Sequence, residues 1–262
     1  MHTHNHREMT ENSVSDTTSP GRAPSSDSTR DQQPGGAGCA GLDPALSGVR
    51  RLLAVVAHPD DESFGLGAVI TTLVDAGVEI SVLCLTAGEA STLGVPVDLA
   101  AIRAAELESA AAALGVRAWL ENLPDGSLAS RPAAELESLV EQHLGAADAL
   151  LVFEPSGVTG HPDHRAASLA GAAVAGRHRL PLLEWGLPTP LARRLSQEFG
   201  VPLRGLGRSA DLVEIRVDRT RQWAAISKHR SQQPDNPLLS RRLTLQGDRE
   251  LIRIRHGSSG MR

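Results

Sequence analysis

Two short runs of the sequence concentrate side chains able to do hydrolytic chemistry. The first is His58-Pro59-Asp60-Asp61-Glu62, four ionisable groups in five positions. The second, much later, is Gly160-His161-Pro162-Asp163-His164. Imidazole and carboxylate together suit a borderline divalent ion such as Zn2+ or Fe2+. His58 and Asp61, three apart on a turn, can converge on one ion. A histidine of the second run then completes a His/Asp/His set with coordination left open for water, the catalytic rather than the structural pattern. Asp60, between the ligands, is placed to take a proton from a water on that ion. His161, one turn before His164, can face the other side of a substrate, where it would stabilise an oxyanion or protonate a leaving amine. The spacing leaves open which of these two histidines is the ligand. Asp163 can orient a histidine and raise its pKa. Read singly, each run is an ordinary loop, and Asp-Asp-Glu also suits a helix N-terminus. Packed together without a cation, the same groups would repel one another or desolvate at a cost.

The elements around the runs decide which reading holds. Leu52 to Ala57 is a short apolar run that suits a buried parallel strand and leads straight into His58. Further strands are expected over 78–85, 116–120, 149–153, 180–185, 212–217 and 251–254. Helices are expected over 67–76, 98–114, 132–144, 163–176 and 218–229, with Asp98 and Asp218 as caps and Gly77 and Gly115 closing two of them. Alternating strand and helix signals imply an α/β fold, Rossmann-like, with a mostly parallel sheet flanked by helices. In such sheets ligands bind beyond the carboxyl ends of the strands. Both polar runs lie there, which favours a site over two unrelated loops.

The motif Ala57-His58-Pro59-Asp60-Asp61-Glu62 with the later His161-Pro162-Asp163-His164 resembles the PIG-L/LmbE-like zinc-dependent N-deacetylases. The resemblance runs from about residue 50 to 256. It also rests on Gly65 and Gly67, Thr86-Ala87-Gly88-Glu89, Arg103 with Glu106, Asp125-Gly126 and His229-Arg230-Ser231-Gln232. It implies His58, Asp61 and His164 as zinc ligands, Asp60 as general base, and His161 as the oxyanion-stabilising or general-acid histidine with Asp163 behind it. The implied activity is hydrolysis of the acetamide of an N-acetylglucosaminyl compound. The implied cofactor is Zn2+, with Fe2+ admitted by the same donors. Glu89, Arg103, Asp125 and His229 are expected to contact substrate or to buttress the metal loop. Cys84, alternating with apolar residues, is expected to be a small core hydrophobe. The three tryptophans are read as packing or rim residues.

Rival chemistries fit less well. His58-x-Asp60 with a distant histidine imitates a non-haem iron triad, but those usually sit on jelly rolls rather than α/β sheets. Gly65-Leu66-Gly67 begins a dinucleotide fingerprint, yet Ile70 stands at its third glycine. No G-x-S-x-G nucleophile elbow is present. An amidase of another acylated small molecule, such as a thiol conjugate or antibiotic intermediate, remains the alternative. So does a non-catalytic sugar-binding relative, though that reading anticipates lost ligands, and every motif position is filled.

Composition narrows partners. The 262 residues carry 26 Lys and Arg against 31 Asp and Glu, a net charge of −5, with Lys228 the only lysine. That balance gives no case for nucleic acid or an anionic membrane surface. No apolar run approaches a membrane span. Two cysteines exclude a disulfide scaffold. Residues 1–48 are rich in Ser, Thr, Pro, Gly and Asp and read as a disordered tail, with 49–262 as the catalytic domain. His2, His4 and His6 belong to that tail and are read as solvated. The tail has no apolar core of a signal peptide, so a cytoplasmic enzyme is expected. It carries three Arg against six acids, which leaves the body near −2. A small-molecule sugar amide is the expected partner, and a homo-oligomer is compatible with the sequence.

Overall fold

Alternation along the first strand sets the architecture. In the computed structural model, whose described residues are 46, 48–91, 98–232 and 236–256, β1 (Arg51–Val56) is buried from Leu52 onward. Leu52, Ala54 and Val56 face one core and Leu53 and Val55 face another, as the period of two requires. Both faces are therefore covered by helices, and the strand reads as a continuous apolar run.

β1 pairs in parallel with β2 (Glu79–Thr86) on one side and β4 (Ala149–Phe153) on the other. β3 (Arg117–Leu123) extends the sheet beyond β2, and β5 (Leu182–Pro188) beyond β4, both parallel. β8 (Arg249–Arg255) then joins β5 antiparallel, and β7 (Leu212–Arg216) joins β8 antiparallel. β6 (Gly205–Leu206) pairs with the end of β5. The order is β3-β2-β1-β4-β5-β8-β7. β8 alternates buried and partly exposed residues, the pattern of a strand with one covered face.

The first core takes α2 (Gly67–Asp75), α3 (Leu99–Leu114), α6 (Thr189–Phe199) and α7 (Thr220–Ile226). The second takes α4 (Ala133–Leu144) and α5 (Pro162–His178). α5 lies so close to the sheet that a Cβ on Gly171 would sit 2.6 Å from a Val152 methyl. A short α1 (Asp61–Phe64) follows β1, and α8 (Pro237–Gln246) precedes β8. The chain leaves β1 toward β2 and β3, then returns to its other side at β4. The reversal opens a crevice at the carboxyl ends of β1 and β4, where such sheets bind ligands.

Several expectations shift. Leu46, which composition assigns to the tail, is 1% exposed and part of the first core. The body therefore begins before residue 49. Asp98 occupies the N-cap position of α3, but its carboxylate makes no capping bond. α7 stops at Ile226, short of His229, and begins at Thr220, whose N–H and hydroxyl both donate to Asp218 Oδ1. α6, α8 and β6 were not anticipated. Cys84 is buried in β2. The tail through residue 45, with its three histidines, lies outside the described residues. No helix among the described residues is long and apolar enough to cross a membrane.

Candidate metal centre and catalytic cavity

His58 leaves the end of β1, and Asp61 starts α1 three residues later. The Asp61 carboxylate folds back on the strand end, where Oδ2 accepts from the N–H groups of Ala57 and His58 at 3.2 and 3.0 Å. This fixes the carboxylate without using Oδ1. Across the crevice, the first turn of α5 presents His164. Its Nε2 lies 3.2 Å from Asp61 Oδ1 and 3.2 Å from His58 Nδ1. His58 Nδ1 is 3.8 Å from Asp61 Oδ2. Ligands held at about 2.1 Å around a tetrahedral ion stand about 3.4 Å apart, which the His58–His164 and His164–Asp61 pairs match. Among the described residues, His58, His161 and His164 also bring one ring nitrogen each within 4.8 Å of one another, as His58, Asp125 and Asp163 do with one ligand atom each.

The far side of each ring fixes what the near side offers. His164 Nδ1 lies 3.2 Å from the Gly157 carbonyl, an acceptor that calls for a proton on Nδ1. His58 Nε2 lies 2.9 Å from Asp125 Oδ1, off the aligned hydrogen-bond direction, and 3.5 Å from Asp163 Oδ2. With protons on those distal nitrogens, the His58 Nδ1 and His164 Nε2 lone pairs face each other at 3.2 Å beside a carboxylate, an arrangement that needs a cation. The donor set therefore fits a divalent metal. Without one, protons do part of that work. Burial opposes charge on His58, but the close Asp125 carboxylate and the charges of Asp61 and Asp60 push its pKa up to about 9. Burial likewise opposes charge on His164, and Asp61 more than restores it. Asp61, disfavoured by burial, is held below the usual carboxylate range by His164 and His58.

Asp60 stands beside the ligands with φ 124°, a strained setting for a non-glycine residue. Two partners hold it there. Its N–H donates to Glu62 Oε2 at 2.9 Å, and its Oδ2 is 3.3 Å from the Arg103 guanidinium. Burial raises the Asp60 pKa to about 7 against the pull of Arg103. Arg103 also donates to the carbonyls of Pro59 and of Gly88. It clamps the loop that carries Pro59 and Asp60 and also lines the cavity.

His161 caps α5, and its Nδ1 accepts from the Asp163 N–H at 3.2 Å. In the neutral ring the proton is thus on Nε2, free to donate. Burial and the charges of His164 and His58 hold its pKa below the ordinary value. Its ring centre is 5.1 Å from those of both histidines. The Asp163 carboxylate does not back His161, as the resemblance implies. It is buried, accepts from the Gly126 and Leu128 N–H groups at 2.8 and 3.0 Å, and faces His58.

Two substrate-side expectations also move. His229 is fully buried and bonds Glu62 Oε1 at 2.7 Å, with the Ser63 hydroxyl on the same carboxylate oxygen at 2.6 Å. It is walled off from substrate and steadies α1 instead. Glu89 reaches the Asp125 N–H at 2.9 Å, and Asp125 in turn lies on His58, so these two support the centre in series.

The crevice is a cavity of about 570 Å³. His58, Asp60, Asp61, His161 and His164 lie at its polar end with Arg103 and Asp125. Phe64, Phe153, Val158, Trp185, Leu203 and Leu239 supply apolar wall, with Gln232, Asn236 and Arg242 in the same lining and the Arg242 guanidinium 5.3 Å from the Trp185 ring centre. This wall was not legible as a site. Phe153 and Trp185 read as interior strand residues, and only the fold turns them toward the crevice, where Phe153 also meets the His164 ring. Trp119 and Trp223, by contrast, are exposed away from it.

Residues 53–175 match the family model described as PIG-L, GlcNAc-PI de-N-acetylase. The 1D-myo-inositol 2-acetamido-2-deoxy-alpha-D-glucopyranoside deacetylase of Nakamurella multipartita is 31% identical over 176 residues, covering 54% of this chain and 58% of that one. The deacetylase of the same name from Mycolicibacterium vanbaalenii is 29% identical over 237 residues, covering 71% of this chain and 82% of that one. Among solved structures, N,N'-diacetylchitobiose deacetylase from Pyrococcus horikoshii superposes with a TM-score of 0.57 at 24% identity, over 81% of this chain and 86% of that one. At that identity the likeness establishes the α/β fold, which supports many chemistries.

Proposed function

We propose that the chain, whose residues 53–175 match the PIG-L family model, is a metal-dependent amide hydrolase. It removes an acetyl or other acyl group from an N-acetylglucosaminyl-type small molecule. The observation that carries the reading is His164 Nε2 in the cavity wall, 3.2 Å from both His58 Nδ1 and Asp61 Oδ1. These three side chains would hold the ion, which we assign as Zn2+, with Fe2+ suited to the same donors. A divalent ion there supplies Lewis acidity, polarising the amide carbonyl and making a water more acidic.

The remaining steps belong to the protein. Asp60, raised toward neutrality by burial, takes a proton from water as its oxygen bonds to the carbonyl carbon. Arg103 keeps that carboxylate aimed. His161 Nε2–H donates to the carbonyl oxygen as negative charge gathers there. The C–N bond then breaks and the nitrogen recovers a proton, which yields a carboxylate and a free amine. Asp125 and Asp163 hold His58 in the orientation that turns Nδ1 inward.

The relatives named above act on N-acetylglucosaminyl-inositol, an all-polar substrate. The apolar part of this cavity's lining supports a second reading of the substrate. An acyl chain or aglycone with apolar surface would cover Phe153 and Trp185. Amine release from a panel of N-acylglucosaminyl compounds, with and without chelator, tests both. Chelator-sensitive release from N-acetylglucosaminyl-inositol favours the first, and preference for apolar acyl or aglycone groups favours the second. Release that survives metal removal overturns the proposal.

A further inference from the structure

Behind the loop that carries Gly157 to His161 lies a second cavity of about 790 Å³, and its lining is cationic. Arg165 from α5, Arg193 from α6, Arg204 from the turn before β6, and Arg253 from β8 converge on it. Most arginine side chains of this protein are spent on acids, such as Arg131 on Glu135, Arg177 on Glu137 and Glu141, and Arg241 on Glu198. The side chains of Arg165, Arg193 and Arg204 have no acid partner among the described residues. Three uncompensated guanidinium groups facing one cavity repel each other, and a net charge near −2 in the body does not require them.

The one acid in the wall makes no ion pair with them. The Glu154 carboxylate is taken up by its own loop, through the N–H and hydroxyl of Ser156 and the Val158 N–H at 2.7 Å. Arg253 is held in place by Glu184 at 3.0 Å and Asp211 at 3.7 Å, so one wall is preorganised. The first turn of α6 adds Thr189 and the positive end of an eleven-residue helix. Guanidinium forks match the paired oxygens of phosphate and carboxylate.

We propose that this cleft is a binding site for a small multivalent oxyanion, distinct from the amide-hydrolysing cavity. The two cavities share the 157–160 loop as a partition. Val158 shows how: its side chain lines the catalytic cavity, while Glu154 and the Arg204 N–H, at 2.7 Å from its carbonyl, grip it from behind.

The test is calorimetric titration of the full-length chain with inorganic phosphate and with glucose 6-phosphate, in metal-loaded and chelated forms. Saturable binding is expected in both forms, to be retained in Asp61→Ala, and to weaken about tenfold or more in R193A/R204A. Those two side chains are exposed and away from the metal, so the double variant should keep its amide hydrolysis, which also shows that it folds. Tighter binding of glucose 6-phosphate would identify a phosphorylated metabolite, and equal binding a free anion. Three results would overturn the proposal: no saturable binding, binding untouched by R193A/R204A, or binding lost on chelation or in Asp61→Ala. Association with phosphatidylglycerol vesicles but with neither soluble phosphate would likewise reject a small ligand. Because binding to the chelated chain is the readout, the outcome does not depend on the hydrolase assignment.

Discussion

Asp60 is the side chain whose loss should part chemistry from metal holding. In Asp60→Asn the proposed ligands His58, Asp61 and His164 stay in place, so metal content by elemental analysis is expected to be unchanged. Turnover should fall by roughly 10²–10⁴-fold, the usual worth of a positioned base. Full activity in that variant would end the assignment of Asp60 as base. His229 gives the contrasting case. Removing it in His229→Ala leaves Glu62 buried without its ion partner, and a stability loss of about 3–5 kcal/mol in denaturant titration is expected. Burial works against charge on His229, but Glu62 outweighs it and raises the pKa above 6.5. Its stabilising contribution is therefore full below about pH 6.5 and is lost as pH climbs through the folded-state value. Melting temperature against pH should show that limb in the parent chain and a flatter one in His229→Asn. The metal-side residues were readable because chemistry gathers them within a few positions of each other. The Glu62–His229 pair was not, since its members are 167 residues apart and meet only after folding. The swing of Asp163 from His161 to His58 is equally a matter of orientation, which residue type does not encode.

At the scale of elements, glycines set how closely helix and strand approach. Gly157 has φ 72°, and a Cβ on it would lie 2.6 Å from the His164 Cβ. Gly157→Ala should therefore displace a metal ligand through its carbonyl support. A loss of about 10–100-fold in metal affinity, read by chelator competition, is expected with the fold intact. Gly171→Ala presses on Val152 in the second core and should cost about 1–3 kcal/mol of stability without changing metal affinity. Strands were legible because a strand covered on both faces is a plain apolar run. α6 was not, because Pro188 and Pro190 look like breakers in sequence. Pro188 is instead the N-cap residue and Pro190 falls in the first turn, where a missing N–H is harmless. α8 hides in the same way behind Pro237 at its start.

The whole molecule gathers its donors by topology. β1 and β4 are neighbours, while the polar runs that follow them are a hundred residues apart, and the reversal of strand order between them makes the crevice. Both strands are set by cores on either face, and every ligand lies within a turn of a strand end or a helix start. The backbone at the centre is thus held by apolar packing that involves no metal, unlike a zinc finger, which is unfolded without its ion. The chelated chain should keep its far-ultraviolet circular dichroism and melt cooperatively. Adding Zn2+ should raise the melting temperature in proportion to the logarithm of free metal. A site assembled before it is filled has a further consequence, which concerns the order of events during biosynthesis. The protein can be made, folded and stored empty, and loaded afterwards. On the proposed metal centre, its occupant would then follow the supply of free divalent metal at the moment of loading.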